Sequence, residues 1–412
     1  MSRVMKDSGI PWMPVIPSGW GVEKGKNILN LQKRPVRDTD EVVTCFRDGE
    51  VVLRSERRTD GFTMSDKEIG YQGINKGDIV IHGMDGFAGS MGVSKSTGKG
   101  SPVLVVCTPK YDAVPQYIIY YLRVLAQMNV FVALATGIRE RSCDLRWNKI
   151  AALQFIMPSA REQQCIAEFL DRKCGEIDEA IALQEEFIEE LKAYKQSVIT
   201  EAVTHGLNPN VKFKDSGSDW IGKIPQGWDV IKVGFLFDNL DYLRQPISAE
   251  LRERNNPQYD YYGASGVIDK IDHYNVDDKV LLIGEDGANL VLRNLPLIYK
   301  AEGRFWVNNH AHILKPKDNN DYNYMAHALE ATNYRNYITG SAQPKLSQDN
   351  LQAVKLPVPP LTEQRQIADY LDIKCHEIDS LIAIKQQKIE ELKDYKKSII
   401  YEYVTGKKEC IF

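Results

Sequence analysis

Apolar residues recur at alternating steps of four and three in two places along the chain. Ile177, Ile181, Gln184, Ile188, Leu191, Lys195 and Val198 make one series, and Ile378, Ile382, Lys385, Ile389, Leu392, Lys396 and Ile399 make the other. This is a heptad seam, with polar interruptions at the same two steps in both copies. Around each seam the composition is rich in Glu, Lys, Ala, Leu and Ile and free of Pro, which favours helix. The spacing predicts two long helices whose seams need partners, and each can supply the other's. A rod over residues 162–204 would be roughly 65 Å long at 1.5 Å per residue. The other reading is a helix lying on its own domain.

The surrounding text is also doubled. Residues 161–206 and 362–407 are identical at 25 of 46 positions without a gap. "DSGIPWMPVIPSGW" at 7–20 returns as "DSGSDWIGKIPQGW" at 215–228. Pro and Gly forbid helix in this phrase, so it reads as a doorway from a rod into a domain, clamped by Trp12 and Trp20 and by Trp220 and Trp228. The order is therefore phrase, variable region, helix, twice over, which is the signature of an internal repeat. Joining "VTGKKECIF" to "MSRVMKDSGIPW" would mimic "VTHGLNPNVKFKDSGSDW" in the middle of the chain, as in a ring of two units.

The two variable regions, 23–160 and 229–361, share little wording but the same element order. Runs such as "GDIVIHGMDGFAG", "SPVLVVCTP", "DKVLLIGEDGA" and "RFWVNNHAHILKP" predict strands bounded by turns. "PQYIIYYLRVLAQM" and "YNYMAHALEATNYRNYI" predict helices, and "NKIAALQFIMPS" and "DNLQAVKLPVPPL" predict a strand ending in Pro. The expected fold is α/β (α+β): two globular domains in tandem, separated by two long antiparallel coiled-coil helices, with a pseudo-twofold internal repeat. The expected boundaries are 1–160, 161–206 (first helix), 207–361 and 362–412 (second helix and tail). One frame with two loop sets suits a reader of two targets.

Composition narrows the class. Hydrophobic residues at 43% and charged residues at 26% fit a globular protein, and no apolar run is long enough to span a membrane. "MSRVMKDSGIPW" has no apolar core, so no signal peptide is expected. Seven cysteines lie scattered without a CxxC pair, which argues against a disulfide framework or a zinc ribbon and for a reducing cytoplasm. Cys174 and Cys375 read as small residues flanking the seam. The net charge of −4 is unevenly spread: 19 Lys/Arg face 15 Asp/Glu in 23–160, 5 face 11 in 161–206, and 14 face 17 in 229–361. Charge alone is a weak signal for nucleic acid.

No catalytic constellation completes itself. "NNPQY" (Asn255–Tyr259) lacks the second Pro of an adenine-holding loop and no cofactor loop precedes it. "GFAGSMG" (Gly86–Gly92) is a Gly-rich turn without the rest of a nucleotide motif. His310 and His312 read as a polar strand edge rather than a metal site. What remains is a set of loop residues suited to DNA: Arg54, Arg57, Arg58, Lys95, Lys99, Arg139 and Arg141 in the first half, and Arg293, Arg304, Asn308, Asn309 and Lys345 in the second. Arg reads guanine, Asn reads adenine and Lys meets phosphate.

The run "KLPVPPLTEQRQIADYLDIKCHEIDSLI" resembles the block shared by the specificity (S) subunits of type I restriction-modification enzymes. "WIGKIPQGWDV" and "FWVNNHAHIL" resemble the start and a late strand of their target recognition domains. The first copy departs in having Ser159-Ala160 where the second has Pro360-Leu361. The resemblance implies a non-catalytic subunit that recognises a bipartite asymmetric site on double-stranded DNA, one half per domain. It implies two modification (M) subunits that carry S-adenosylmethionine and methylate adenine. It also implies up to two restriction (R) subunits that use ATP and Mg2+. The competing readings are a stand-alone methyltransferase or nuclease, and a coiled-coil scaffold that binds only proteins.

Overall fold

A computed structural model describes residues 3–57, 69–134, 145–252, 258–340 and 342–410. The chain divides into two compact units, Met1–Gln184 with Gln387–Phe412, and Glu185–Gln386. Each unit therefore holds one variable domain and a stretch of both long helices.

The helices run Ala160–His205 and Leu361–Val404. Each has an acidic residue in its first turn, Glu162 and Glu363, which complements the helix dipole. Each stops at a glycine with positive φ, Gly206 (+75°) and Gly406 (+71°), the left-handed conformation that ends a helix at least cost. Along the seams Ile177, Ile188, Ile378, Ile389 and Ile399 are buried, and Ile181, Leu191, Val198, Ile382 and Leu392 are half-buried. In the first unit the helix segments pair antiparallel: Phe169 stacks on Tyr403 and Lys396 reaches Asp178. In the second unit Lys385 lies over Phe187 and Lys195 reaches Asp379.

In the first unit a four-stranded antiparallel sheet runs in the order Leu29–Leu31, Leu104–Pro109, Ile79–His82, Met91–Val93. The helix Pro115–Gln127 packs on it with nine buried residues. The second unit repeats the first three strands as Phe237–Asn239, Ala311–Pro316 and Val276–Gly284. It continues through Ile298–Val307, Tyr259–Gly263 and Gly266–Ile271 into a six-stranded sheet. Register repeats as well: Leu29 pairs with Pro109 as Phe237 pairs with Pro316. A two-stranded ribbon closes each domain beside its long helix, Gly21–Lys24 with Gln154–Met157 and Asp229–Lys232 with Lys355–Val358.

Two sequence expectations are corrected, and the reading of "GFAGSMG" as a Gly-rich turn without a nucleotide motif stands. The second domain's helix is Tyr322–Ala331, not the longer run to Ile338. Thr332 turns extended there, and Tyr334 folds back into the core with its hydroxyl on the Leu329 carbonyl. Gly86–Ala88 forms one 3-10 turn, too short to present a phosphate-binding helix end. The cysteines, expected to stay unpaired, include one disulfide, Cys165–Cys410. The two residues lie 245 apart in sequence, and residues 405–410 fold back beside the start of the first long helix.

Candidate nucleic-acid interface

The loops are held by a clamp that occurs in both units. The Trp20 indole N–H donates to Glu162 Oε2 at 2.9 Å, and Trp228 donates to Glu363 Oε2 at 3.0 Å. The next residue, a glutamine, is almost wholly buried in each copy. Gln163 Oε1 accepts from Val114 N–H at 3.0 Å while its amide donates to Pro158 O at 2.9 Å. Gln364 does the same for Asp321 N–H (2.8 Å) and Pro359 O (2.9 Å). Tyr117 and Tyr324 reach the closing strands at Ile156 O and Pro357 O. The Glu-Gln pair thus ties the first turn of the long helix to the domain's helix, its closing strand and its doorway Trp. Trp12 and Trp220 pack only partly buried against the cores, so Trp20 and Trp228 are the clamping pair. The "EQ" wording was the available sequence signal for this device.

In the first unit the loop cations gather on a few acids. Arg57 pairs with Asp48 and with Glu50 (3.2 Å), and its guanidinium lies 4.4 Å over Phe46. The Arg57 hydrogen bond holds the Asp48 carboxyl below its usual range. Lys95 joins Glu50 at 2.8 Å with most of its side chain in solvent. Arg54 donates to Thr44 Oγ1, and Lys99 is buried in the strand Gly98–Gly100. Arg58, Arg139, Arg141 and Asn255–Pro257 lie outside the described residues.

In the second unit the polar residues converge where the strand Val276–Gly284 ends. Glu285 takes Arg244 and Lys345 (3.0 Å), and Arg244 also meets Asp241 at 3.3 Å. His312 is 1% exposed and has both ring nitrogens engaged, on Asp241 Oδ2 at 2.6 Å and Leu346 O at 2.8 Å. Burial pushes the Asp241 carboxyl up, but the His312 hydrogen bond and charge, a backbone N–H and Arg244 outweigh it and hold it below its usual range. Glu285 behaves alike: burial raises it, and the hydrogen bonds from Lys345 and Arg244 with the nearby positive charge bring it lower. His310 is half exposed and pairs with Asp286 at 2.7 Å, so only His310 fits the reading as a polar strand edge.

The remaining candidates separate by what they touch. Arg293 turns inward, donating to Thr332 O and Glu330 O. Asn308 is buried and accepts from His310 N–H. Arg304 stays half exposed on Asp277 and over the Tyr274 ring, and the Asn309 side chain is exposed. Among the described residues no group of three or more His, Cys, Asp or Glu could hold a metal ion. Burial pushes the Cys45 and Cys107 thiols up to about 12, away from nucleophilic use. The described surface carries ion-paired cations and an exposed amide.

Residues 225–394 match the family model described as type I restriction modification DNA specificity domain. The chain is 33% identical over 129 residues to a putative type I restriction enzyme specificity subunit, S.HindORF215P, of Haemophilus influenzae. That match covers 31% of this chain and only about a third (32%) of the relative's length. Over 357 residues it is 25% identical to the putative type I restriction enzyme MjaX specificity subunit of Methanocaldococcus jannaschii, covering 83% and 76% of the two chains. Among solved structures, a chain from work on complex assembly and conformational transition of the type I R-M system superposes with a TM-score of 0.71 at 15% identity. It covers 95% of this chain and 99% of its own length. The HsdS subunit from Thermoanaerobacter tengcongensis gives 0.52, also at 15% identity, with 95% and 98% coverage. The likenesses to solved structures carry the tandem α+β fold, and residues 225–394 are similar to the DNA specificity domain of type I restriction-modification systems.

Proposed function

We propose that this chain selects a bipartite, asymmetric site on double-stranded DNA, each unit reading one half. In this reading it brings two modification subunits to the site and, where they occur, two restriction subunits. The observation that carries the reading is one clamp, repeated to within 0.2 Å in its main hydrogen bonds, bearing two unlike loop sets. In this reading Arg57, Lys95, Arg304 and Lys345 would exchange their present ion-pair partners for bases and phosphates, and the exposed Asn309 would meet a base. Arg54, Lys99, Arg293 and Asn308 would set the shape of the reading surface, and Arg58, Arg139 and Arg141, outside the described residues, remain candidates for base or phosphate contact by residue type. Reading two halves multiplies specificity, because mismatch costs of ~1–3 kcal/mol per base pair accumulate in both. The modification subunits would supply S-adenosylmethionine and the adenine methylation, and the restriction subunits ATP, Mg2+ and cleavage. This chain supplies selection alone, in the cytoplasm where the DNA lies.

Long-read methylation mapping of a host carrying a modification subunit and this chain tests the proposal. The expected result is methyladenine in a two-part motif that vanishes without this chain. Replacing residues 23–160 by a relative's first domain should change one half of the motif only. A change in both halves overturns the modular reading. Methyl transfer or DNA cleavage by the purified chain alone would favour the stand-alone enzyme instead, and loss of all site-specific protection would favour a protein scaffold.

A further inference from the structure

The two long helices end on the same device but are followed by different chemistry. In the second unit Gly206 lies against Trp228, so close that an added Cβ would stand 3.0 Å from its ring. From there residues 207–212 run directly into the hairpin Phe213–Asp215 with Lys223–Pro225. The helix end and the doorway are thus joined by peptide. In the first unit Gly406 packs on Pro17 and Trp20 in the same manner. The hairpin there, Met5–Asp7 with Val15–Pro17, is not continuous with the helix.

Two contacts stand at this discontinuous junction. Arg3 donates to Glu162, with its guanidinium 5.2 Å from the Trp20 ring centre. Cys410, 6% exposed, is bonded to Cys165, with the Cα atoms 6.3 Å apart, inside the range that a disulfide spans. Glu162 and Cys165 are three residues apart and share a helix face, so residues on both sides of the discontinuity are fastened to one turn. At the continuous junction the matching positions hold Val211 for Arg3, Asn210 for Cys410 and Gln366 for Cys165. Neither the cation nor the thiols are repeated where the peptide makes the connection.

We propose that Cys165 and Cys410 form a redox-operated staple that fastens residues 405–410 to the first long helix, in place of the peptide connection the second unit possesses. Closure is thiol–disulfide exchange with a low-molecular-weight disulfide of the glutathione class. One cysteine thiolate attacks a sulfur of the oxidant and releases one small thiol. The second cysteine thiolate then attacks the mixed disulfide and releases the other. Two protein thiols become one S–S bond, and the oxidant takes two electrons and two protons to become two thiols. In a reducing compartment the staple stays open and packing alone holds the tail, whereas an oxidised thiol pool closes it. Cys45, Cys107, Cys174 and Cys375 are buried free thiols elsewhere in the fold.

The test uses the full chain, equilibrated with glutathione disulfide or with dithiothreitol, then digested without reductant and mapped by mass. Oxidation should produce a peptide pair joining Cys165 to Cys410. Carboxypeptidase release of residues beyond Lys408 should be faster in the reduced protein by about tenfold or more, since cleavage follows the opened segment. C165S and C410S should each abolish the redox difference in release rate, while C143S should keep it. Absence of the Cys165–Cys410 peptide after oxidation overturns the staple. So does a redox difference that survives in either C165S or C410S, and with two independent single variants a folding failure in one still leaves the other to decide.

Discussion

Where the first unit pairs Val105 with Ile81 across its sheet, the second pairs His312 with Ile283 on the same rung. Val105 packs half-buried against the apolar core of its unit. Around His312 stand Asp241, Arg244, Glu285 and Lys345, joined by hydrogen bonds and ion pairs. The backbone register is unchanged by this exchange, so the frame does not depend on what fills that rung. A buried imidazole is tolerated because both its ring nitrogens and the Asp241, Arg244, Glu285 and Lys345 side chains have partners, and a network with its imidazole unpaired would be worse than the apolar rung. The difference teaches that the units were free to diverge in charge and loop content as long as the clamp of Trp, Glu, Gln and Tyr stayed.

The sharpest way to break that comparison is at the clamp. Trp228→Ala should destabilise the second unit by about 4 kcal/mol, and Trp20→Ala the first by the same amount, as for other buried aromatic truncations. Urea unfolding of the full chain, followed by hydrogen exchange of each unit, measures both. Effects differing by more than about 2 kcal/mol, well beyond the usual scatter between equivalent sites, would mean that the two clamps are alike in geometry only.

The next largest effect belongs to the rung itself. His312→Leu removes the buried hydrogen-bond partner of Asp241, leaving it Arg244 alone, and should cost about 3 kcal/mol, while Val105→Leu, a shape change among apolar groups, should cost under about 1.5 kcal/mol. Adding Asp241→Asn to His312→Leu should recover part of the loss, read as a positive coupling in a double-mutant cycle.

Acid should separate the units as well. The Asp241 and Glu285 carboxyls lie below their usual range in the folded second unit. Their contribution is therefore complete above the unfolded-state values near 4 and is lost as pH falls through the depressed folded values. The expected outcome is a steeper fall in the second unit's hydrogen-exchange protection below about pH 4, flattened in the His312→Leu variant. An unchanged slope in that variant would remove His312 from the account.

These networks also mark where sequence reading stops. The long helices were legible almost to the residue, because a heptad seam is local, periodic and written twice. The doubled doorway phrase and the order of strands and helices were legible for the same reason. The contents of the rung were not, since His312 finds Asp241 71 positions away and nothing near either residue announces the pairing. Arg293 shows the same limit. A loop arginine was read as available to DNA, and the fold turns it onto carbonyls of residues 330 and 332. The Cys165–Cys410 bond, across 245 residues, depends wholly on the tertiary return of the tail. Base-contacting geometry is a further step of the same kind, because it depends on where loop side chains point once all such long-range pairings are made.

The smallest effect tests the repeat most directly. Lys195 with Asp379 and Lys396 with Asp178 are the same pair written with the copies exchanged, at 2.7 and 2.6 Å, with the lysines 28% and 29% exposed. Exposed pairs of this sort contribute about 0.2–1 kcal/mol, so Lys195→Ala and Lys396→Ala should each lower stability by no more than that and by matching amounts. Because the pairs join the two helices, the interchange K396D with D178K should restore what either reversal alone removes, and so should K195D with D379K. Raised salt should erase all four differences together. If one pair responds and the other does not, the seam is held unequally in the two units despite its matched wording, and the exchange symmetry read from the repeat does not extend to its energetics.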